Sequence, residues 1–122
     1  MLNNILLVAL GGALGSVIRY LLSGWNTQSF PLGTFFVNIL GSLLIGCLVG
    51  WVNKGVLSPE MKLLLVTGFC GGFTTFSTFA NESFGMMKMG DVLMAALYVS
   101  ASIFLGILAV WIGLALSGSM KG

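Results

Sequence analysis

The stretch that decides the fold mixes helix-weakening glycines with hydroxyl and aromatic side chains: Gly68-Phe69-Cys70-Gly71-Gly72-Phe73-Thr74-Thr75-Phe76-Ser77-Thr78-Phe79. It lies inside the third of four long apolar segments, where an uninterrupted membrane helix would be expected. Each glycine weakens a helix by about 1 kcal/mol relative to alanine. We therefore predict a break around Gly71–Gly72. Backbone freed within a bilayer must find partners in protein, an ion or a water-lined cavity, so the break indicates an ion or substrate site.

The composition is that of a membrane protein. Of 122 residues, 57% are hydrophobic, while five are basic and three are acidic. This is too apolar for a soluble domain and too poor in charge for a disordered chain. The net charge of +2 comes with no basic stripe, so we predict no nucleic-acid partner. Cys47 and Cys70 both lie in apolar segments, which favours small buried packing residues over a disulfide or metal pair.

Four apolar segments are long enough to cross a bilayer core of about 30 Å at about 1.5 Å per residue. They cover residues 4–22, 32–52, roughly 61–83, and 92–116. The first has no positive flank of the signal-peptide kind, so we expect a retained membrane helix. Ser58 and Asp91 precede the third and fourth segments as predicted N-caps. The predicted fold is an all-α membrane protein with four transmembrane helices per chain, the third broken mid-membrane, forming one domain over residues 1–122.

Small and polar residues mark the helix faces that are expected to meet other protein. Gly11 and Gly15 form a GxxxG pair that allows another backbone to approach closely, and Arg19 continues the same row. Arg19 either snorkels to the membrane surface or turns toward the protein interior. A second row, in the second segment, contains Thr34 and Asn38. The Asn38 amide either forms a hydrogen bond between helices or lines a polar path.

The basic residues are distributed weakly between the two sides of the membrane. Four crossings place Lys54, Lys62 and Lys121 on one side, and place Lys88 on the other, joined by Arg19 if it snorkels. This bias is too weak to fix one orientation. A single bundle of four helices is also too thin to enclose a path alone. We therefore predict an oligomer in which chains of opposite orientation pair as an antiparallel dimer within the lipid bilayer.

Three motifs carry a resemblance that extends over essentially the whole chain. They are Gly11-Gly12-x-x-Gly15-x-x-x-Arg19-Tyr20, then Gly33-Thr34-x-x-x-Asn38-x-x-Gly41, and finally the GGxTTFSTF sequence over residues 71–79. Together they resemble the Fluc family of small dual-topology fluoride channels, and the third motif is highly specific. The resemblance implies an antiparallel homodimer in the bacterial inner membrane that lets fluoride leave the cell passively. It also implies two pores per dimer and one structural sodium ion at the centre.

The same resemblance implies roles for individual residues. The backbone carbonyls of Gly71 and Thr74, from both subunits, would bind the sodium ion, and Glu82 would be a vestibule carboxylate. Arg19 and Thr34 are assigned to central, structural positions. The fluoride path would be lined by the amide, rings and hydroxyls of Asn38, Phe76, Phe79, Tyr98 and Ser102. Gly106 stands where the family's fourth-helix track has a further hydroxyl, so that hydroxyl is missing from this chain.

These residues fit an anion path on physical grounds, although the physics does not single out fluoride. Phe76 and Phe79 are three residues apart and share one helix face. Such pairs usually pack or meet lipid, but this pair follows a break and is bracketed by hydroxyls. The edge of a phenyl ring is the positive end of its quadrupole. Further donors come from Asn38 and from the hydroxyls of Thr75, Ser77 and Thr78. All of these contacts to an anion are weak, as conduction requires. Separately, the break frees backbone carbonyls whose oxygens suit a small cation.

Two other functions are kept as alternatives. A small dual-topology proton-coupled exporter needs a carboxylate within the membrane. The first helix has no acidic residue, and Glu82 lies toward a helix end. A non-transporting membrane scaffold would explain the glycine rows but not the broken third helix. We do not predict an enzyme, because the sequence has no histidine, no metal-ligand cluster and no nucleophile with a base near it.

Overall fold

The computed structural model describes residues 1–27 and 29–118, so Lys121 lies outside the described residues. Short loops join the helices. The helices are α1 (Leu2–Leu22), a 3-10 turn (Ser23–Trp25), α2 (Leu32–Asn53), α3 (Pro59–Lys62), a π-helix (Leu63–Cys70), α4 (Gly71–Phe73), α5 (Ser77–Lys88) and α6 (Val92–Leu116).

Four helical stretches are long and apolar enough to cross a membrane: Leu2–Trp25, Leu32–Asn53, Pro59–Lys88 and Val92–Leu116. This confirms the all-α membrane fold with four spans. The third span consists of α3, the π-helix, α4 and α5, and it is interrupted between α4 and α5. Many large apolar side chains of α1 and α6 are exposed on the single chain, which is the surface expected to meet lipid tails.

Glycines allow the spans to approach one another closely. α2 packs against α6, and α1 packs against the first half of the third span. A Cβ added to Gly72 would lie 2.5 Å from the carbonyl oxygen of Gly12 in α1, and one added to Gly46 would meet the carbonyl of Val110 in α6. The backbones approach this closely only because these residues have no side chain.

The break in the third span is confirmed, but its predicted position was wrong. Gly71 and Gly72 belong to α4, and Gly71 has helical torsion angles of φ −62° and ψ −38°. The interruption follows them: Thr74 is extended, with φ −85° and ψ 158°, and the helix resumes at Ser77. The physical reason is that Gly72 serves close packing against α1. The helix ends instead at the point where the Asn38 side chain of α2 forms hydrogen bonds with the backbone of Thr75.

The local predictions at helix starts and cysteines had mixed outcomes. Ser58 caps α3, because its Oγ accepts a hydrogen bond of 3.2 Å from the backbone N–H of Met61. Asp91 occupies the N-cap position of α6, as predicted, but its side chain makes no capping hydrogen bond. Both cysteines are free; Cys70 is buried and Cys47 is half-buried, in agreement with a packing role.

Candidate functional site at the break in the third span

The break is held by the side chain of Asn38, which reaches across from α2. Its Oδ1 accepts a hydrogen bond of 2.9 Å from the backbone N–H of Thr75, and its Nδ2 donates one of 3.1 Å to the carbonyl oxygen of Thr75. One amide therefore satisfies both polar groups of a residue that has left the helix. Asn38 bonds between helices, as the first of its two interpretations proposed, and it also lines the cleft described below.

The carbonyls of Gly71 and Thr74 are among those that lose their usual helical partners at this point. In a continuous helix the N–H of Thr75 would bond the carbonyl of Gly71, and that of Thr78 would bond the carbonyl of Thr74. Here the N–H of Thr75 donates to Asn38, and the N–H of Thr78 donates to Oγ1 of Thr75 at 3.3 Å. The two carbonyls of Gly71 and Thr74 are thus available to other donors or to a cation.

Arg19 turns toward the protein interior rather than to the membrane surface. Its Nε donates a hydrogen bond of 3.0 Å to the carbonyl oxygen of Gly72, which also accepts a longer bond of 3.5 Å from Oγ of Ser16. Gly72 is the second of the last three helical residues before the break. Arg19 therefore supplies a donor to a carbonyl at the end of α4, where helix carbonyls lack partners of their own.

An open cleft of about 350 Å³ lies beside the break. The ten described residues that line it are uncharged, and they come from α2, the break, α5 and α6. They are Asn38, Gly41, Ser42, Ile45, Thr74, Thr75, Phe76, Phe79, Ser102 and Ile103. The cleft thus combines an amide, hydroxyls and phenyl rings with apolar walls.

The two phenylalanines of the cleft differ in their surroundings. Their ring centroids are 6.1 Å apart. Phe79 also packs against Tyr98, with centroids 5.0 Å apart, in an aromatic cluster that includes Phe30 and Phe35. Phe76 is 79% exposed on the single chain. Packing within this chain therefore explains the position of Phe79 but not that of Phe76.

Glu82 is the centre of a separate polar cluster on α5. Its Oε2 accepts hydrogen bonds from Nδ2 of Asn26 at 3.1 Å and from Oγ1 of Thr34 at 3.0 Å, and its Oε1 accepts one of 3.1 Å from the Tyr98 hydroxyl. Asn26 also accepts a bond of 3.0 Å from the backbone N–H of Thr34, at the start of α2. The carboxylate therefore joins the loop between the 3-10 turn and α2, where Asn26 lies, to α2, α5 and α6.

The similarity of the chain to known proteins follows the whole fold. The family described as "CrcB-like protein, Camphor Resistance (CrcB)" matches residues 6–114, which include all four spans nearly in full. The chain belongs to the CrcB family. Bacterial relatives share nearly half of its residues, and the chain covers almost their full length.

Three of these CrcB relatives are named "Fluoride-specific ion channel FluC". The protein of Flavobacterium psychrophilum is 46% identical over 118 residues, which are 93% of this chain and 95% of the relative. That of Rhizobium meliloti is 47% identical over 124 residues, or 98% and 99% of the two chains. That of Thermus thermophilus is 47% identical over 121 residues, or 96% and 95%. With four spans that can cross a membrane, the chain is a multi-pass membrane protein of a bacterial family.

The structure groups the site residues predicted for this CrcB chain in three places. Asn38, Thr75, Phe76, Phe79 and Ser102 line the cleft, together with Thr74. Gly71 begins the short helix α4 next to the break, and the side chain of Arg19 in α1 bonds to Gly72 of the same helix. Thr34 and Tyr98 bond to Glu82, so the Tyr98 hydroxyl is directed to that carboxylate. Ser77 and Thr78 begin α5 and lie outside the cleft lining. The ion-binding roles of all these residues stay predictions.

Sequence reasoning missed two residues of the site. Asn26 bonds to both Glu82 and Thr34, yet it lies in a loop where no periodic pattern marks it. Ser42 lines the cleft one turn after Asn38, and its place in the polar row of the second span was a usable signal.

Proposed function

We propose that this protein is a fluoride-selective channel through which fluoride leaves the cell passively. The observation that carries the proposal is the uncharged cleft of hydrogen-bond donors and phenyl rings beside a broken membrane helix. Its CrcB-family relatives, named fluoride-specific ion channels, supply the identity of the ion. We propose accordingly that the chain is a passive pathway and not an enzyme.

The residues of the cleft would replace the hydration shell of an anion. Asn38 has a second amide hydrogen besides the one that it donates to Thr75. Phe76 and Phe79 would present the positive edges of their rings. Ser102 adds a hydroxyl whose oxygen is buried and, within the described part of the chain, has no hydrogen-bond partner. Each contact is weak, so an anion would be stabilised without being retained.

The assigned assembly is an antiparallel homodimer with two pores. Phe76 is 79% exposed and Gly71 is exposed on the single chain, although both lie beside the break. The cleft is open rather than enclosed. A second copy in the opposite orientation would cover this region and close the path, which one chain leaves exposed. The weak charge bias between the two sides is compatible with insertion in both orientations.

The free carbonyl oxygens at the break are suitable ligands for the structural sodium ion that this assembly is expected to hold. The carbonyls of Gly71 and Thr74 have lost their helical N–H partners, and carbonyl oxygens freed in unwound membrane helices are ligands for sodium. Gly71 and Thr74 would hold the ion through backbone atoms. The ion would supply positive charge that joins the two chains. Arg19 donates to the Gly72 carbonyl, so that carbonyl would be less available to the ion.

Ion efflux from liposomes that contain the purified protein tests the function. We expect rapid efflux of fluoride, much slower efflux of chloride, and no requirement for a proton gradient. Efflux that depends on a proton gradient would favour the exporter, with the half-buried Glu82 as its coupling carboxylate. Absence of any ion flux from correctly inserted protein would favour the scaffold.

The assembly and the sodium ion need a separate measurement. We expect the protein to elute as a dimer in sodium buffer, and to lose dimer stability when sodium is replaced by a large organic cation. C-terminal reporter fusions should show signals on both sides of the membrane. A dimer that is equally stable without sodium would contradict the metal assignment and leave the channel function in place.

A further inference from the structure

Ser42 is a hydroxyl of the cleft to which the proposed function has so far given no role. It lies on α2, one turn after Asn38, and it lines the cleft with Asn38 and Ser102. Its Oγ donates a hydrogen bond of 2.8 Å to the carbonyl oxygen of Asn38. That carbonyl is inside α2, where the backbone N–H four residues on is its regular partner. The bond from Ser42 is therefore additional to the helix and is not needed to complete it.

Gly106 of α6 lies directly opposite this hydroxyl. A Cβ built on Gly106 would have Oγ of Ser42 as its neighbour at 3.6 Å, which is ordinary van der Waals contact. Gly106 is also one turn after Ser102, on the same side of α6. At the level of Gly106, α6 has no hydroxyl to offer, and the hydroxyl present at that level comes from α2.

We propose that Ser42 is a hydrogen-bond donor to the permeating anion at the level of Gly106, following Ser102 along the cleft. The proposal rests on the proposed function. Ser42 and Ser102 then form a pair of hydroxyls contributed by two different helices. The absence of a side chain at Gly106 leaves space beside Oγ of Ser42.

The energetics favour an exchange of partners at Ser42. A hydroxyl rotates freely to suit its acceptor, and the bond from Ser42 to Asn38 joins two neutral groups. Hydrogen bonds to an ionised acceptor are roughly twice as strong as those between neutral groups. An arriving anion therefore draws the Ser42 hydrogen away from the Asn38 carbonyl, which keeps its backbone partner. When the anion leaves, the first bond forms again, so the Ser42 hydroxyl is never left without an acceptor.

A set of four variants separates the effect of the Ser42 hydroxyl on efflux from the effect of the volume that the side chain fills. Ser42→Ala removes the donor. Adding Gly106→Ser to Ser42→Ala returns a hydroxyl from the opposite helix, and adding Gly106→Ala returns only a methyl group. Ser117→Ala is the control, because Ser117 is also buried and also donates to a carbonyl of its own helix, at 2.8 Å, but it lies outside the cleft lining. Fluoride efflux is measured from liposomes, and folding is checked by gel filtration and thermal unfolding in detergent.

We expect Ser42→Ala to lower fluoride efflux about tenfold, as loss of one donor to an ion implies. Gly106→Ser should restore most of it, while Gly106→Ala should restore none and Ser117→Ala should change nothing. Normal efflux from Ser42→Ala, equal rescue by both Gly106 changes, or no rescue by Gly106→Ser would each overturn the role of Ser42. If Ser42→Ala does not fold, Ser42→Cys keeps the size with a much weaker donor and should show the same loss. An unmodified protein that carries no fluoride would instead refute the proposed function itself.

Discussion

The Asn38 side chain pairs with both backbone polar groups of Thr75, through hydrogen bonds of 2.9 Å and 3.1 Å. This pairing explains how a helix ends inside a membrane span without leaving Thr75 unsatisfied. It also explains why the carbonyl of Gly71 is released, since the N–H that would have bonded it is taken. A side chain of α2 thus lines the cleft and frees the Gly71 carbonyl, whereas the Thr74 carbonyl is freed because the N–H of Thr78 bonds to Oγ1 of Thr75.

We expect Asn38→Ala to destabilise the protein by about 1–3 kcal/mol, because the two backbone polar groups of the half-buried Thr75 lose their partner. Asn38→Asp should keep the bond to the Thr75 N–H, lose the bond to its carbonyl, and repel an anion in the cleft. Its fluoride efflux should therefore fall more than its stability. Thermal unfolding in detergent and efflux from liposomes measure the two effects. Asn81→Ala, at an exposed position of α5, is the control. Unchanged stability of Asn38→Ala would contradict the role of this amide at the break.

Neighbouring glycines of α4 offer a second test. A Cβ on Gly72 would lie 2.5 Å from the Gly12 carbonyl oxygen, whereas a Cβ on Gly71 has its nearest neighbour, the Val66 carbonyl, at 4.0 Å. We expect Gly72→Ala to lower the yield of folded protein, because backbone must move to admit the methyl group. Gly71→Ala should fold normally.

Dimer formation further distinguishes the effects of substituting the two glycines. Gly71 is exposed on the single chain, so any effect of Gly71→Ala should fall on dimer formation. Gel filtration distinguishes dimer from monomer, and thermal unfolding reports the fold. Equal loss of folded protein in both variants would show that Gly71 also packs within its own chain.

The sequence was sufficient to predict the four spans, because long apolar segments are a strong signal, and to place a break within the right stretch. It misplaced the break at Gly71 and Gly72 because glycines in general have two physical uses. They weaken a helix, and they also allow a neighbouring backbone to approach. The pattern does not distinguish these uses. The residue that ends the helix, Asn38, is far from Thr75 in the sequence and meets it only in the folded structure.

The surroundings of Glu82 were unpredictable for a similar reason. A carboxylate near a helix end suggested a position in water, yet Glu82 accepts hydrogen bonds from three residues on three other elements. Asn26, one of the donors, lies in an irregular loop whose path no periodicity describes. By contrast, Arg19 could be assigned to the interior or the surface only by finding its acceptor, the Gly72 carbonyl.

Glu82→Gln should destabilise the protein by about 1–3 kcal/mol, because an amide cannot accept from all three donors. If the amide oxygen of the glutamine keeps the hydrogen bonds from Asn26 and Thr34, its NH₂ group faces the Tyr98 hydroxyl. The hydrogen of that hydroxyl then lacks an acceptor at a residue that is only 1% exposed. The same change in a Tyr98→Phe background should cost less, and this double-mutant cycle measures the coupling. Glu60→Gln, at an exposed site of α3, is the control. Equal costs in the two backgrounds would contradict the bond between Glu82 and Tyr98.

Replacing Phe76 and Phe79 by isoleucine distinguishes a packing role of the two rings from direct contact with the ion. Phe76 is 79% exposed on the single chain, so Phe76→Ile should cost that chain little stability. Phe79→Ile loses its aromatic contact with Tyr98 and should cost about 0.5–1.5 kcal/mol. If the ring edges bind the anion, both changes should lower fluoride efflux by far more than these stabilities imply, because isoleucine has no positive edge. Phe84→Ile is the control, since Phe84 is a 60% exposed ring on the same helix but outside the cleft lining. Efflux from liposomes is compared with dimer content by gel filtration. Normal efflux from a folded, dimeric double variant would return both rings to a packing role and leave the amide and hydroxyls as the donors to the anion.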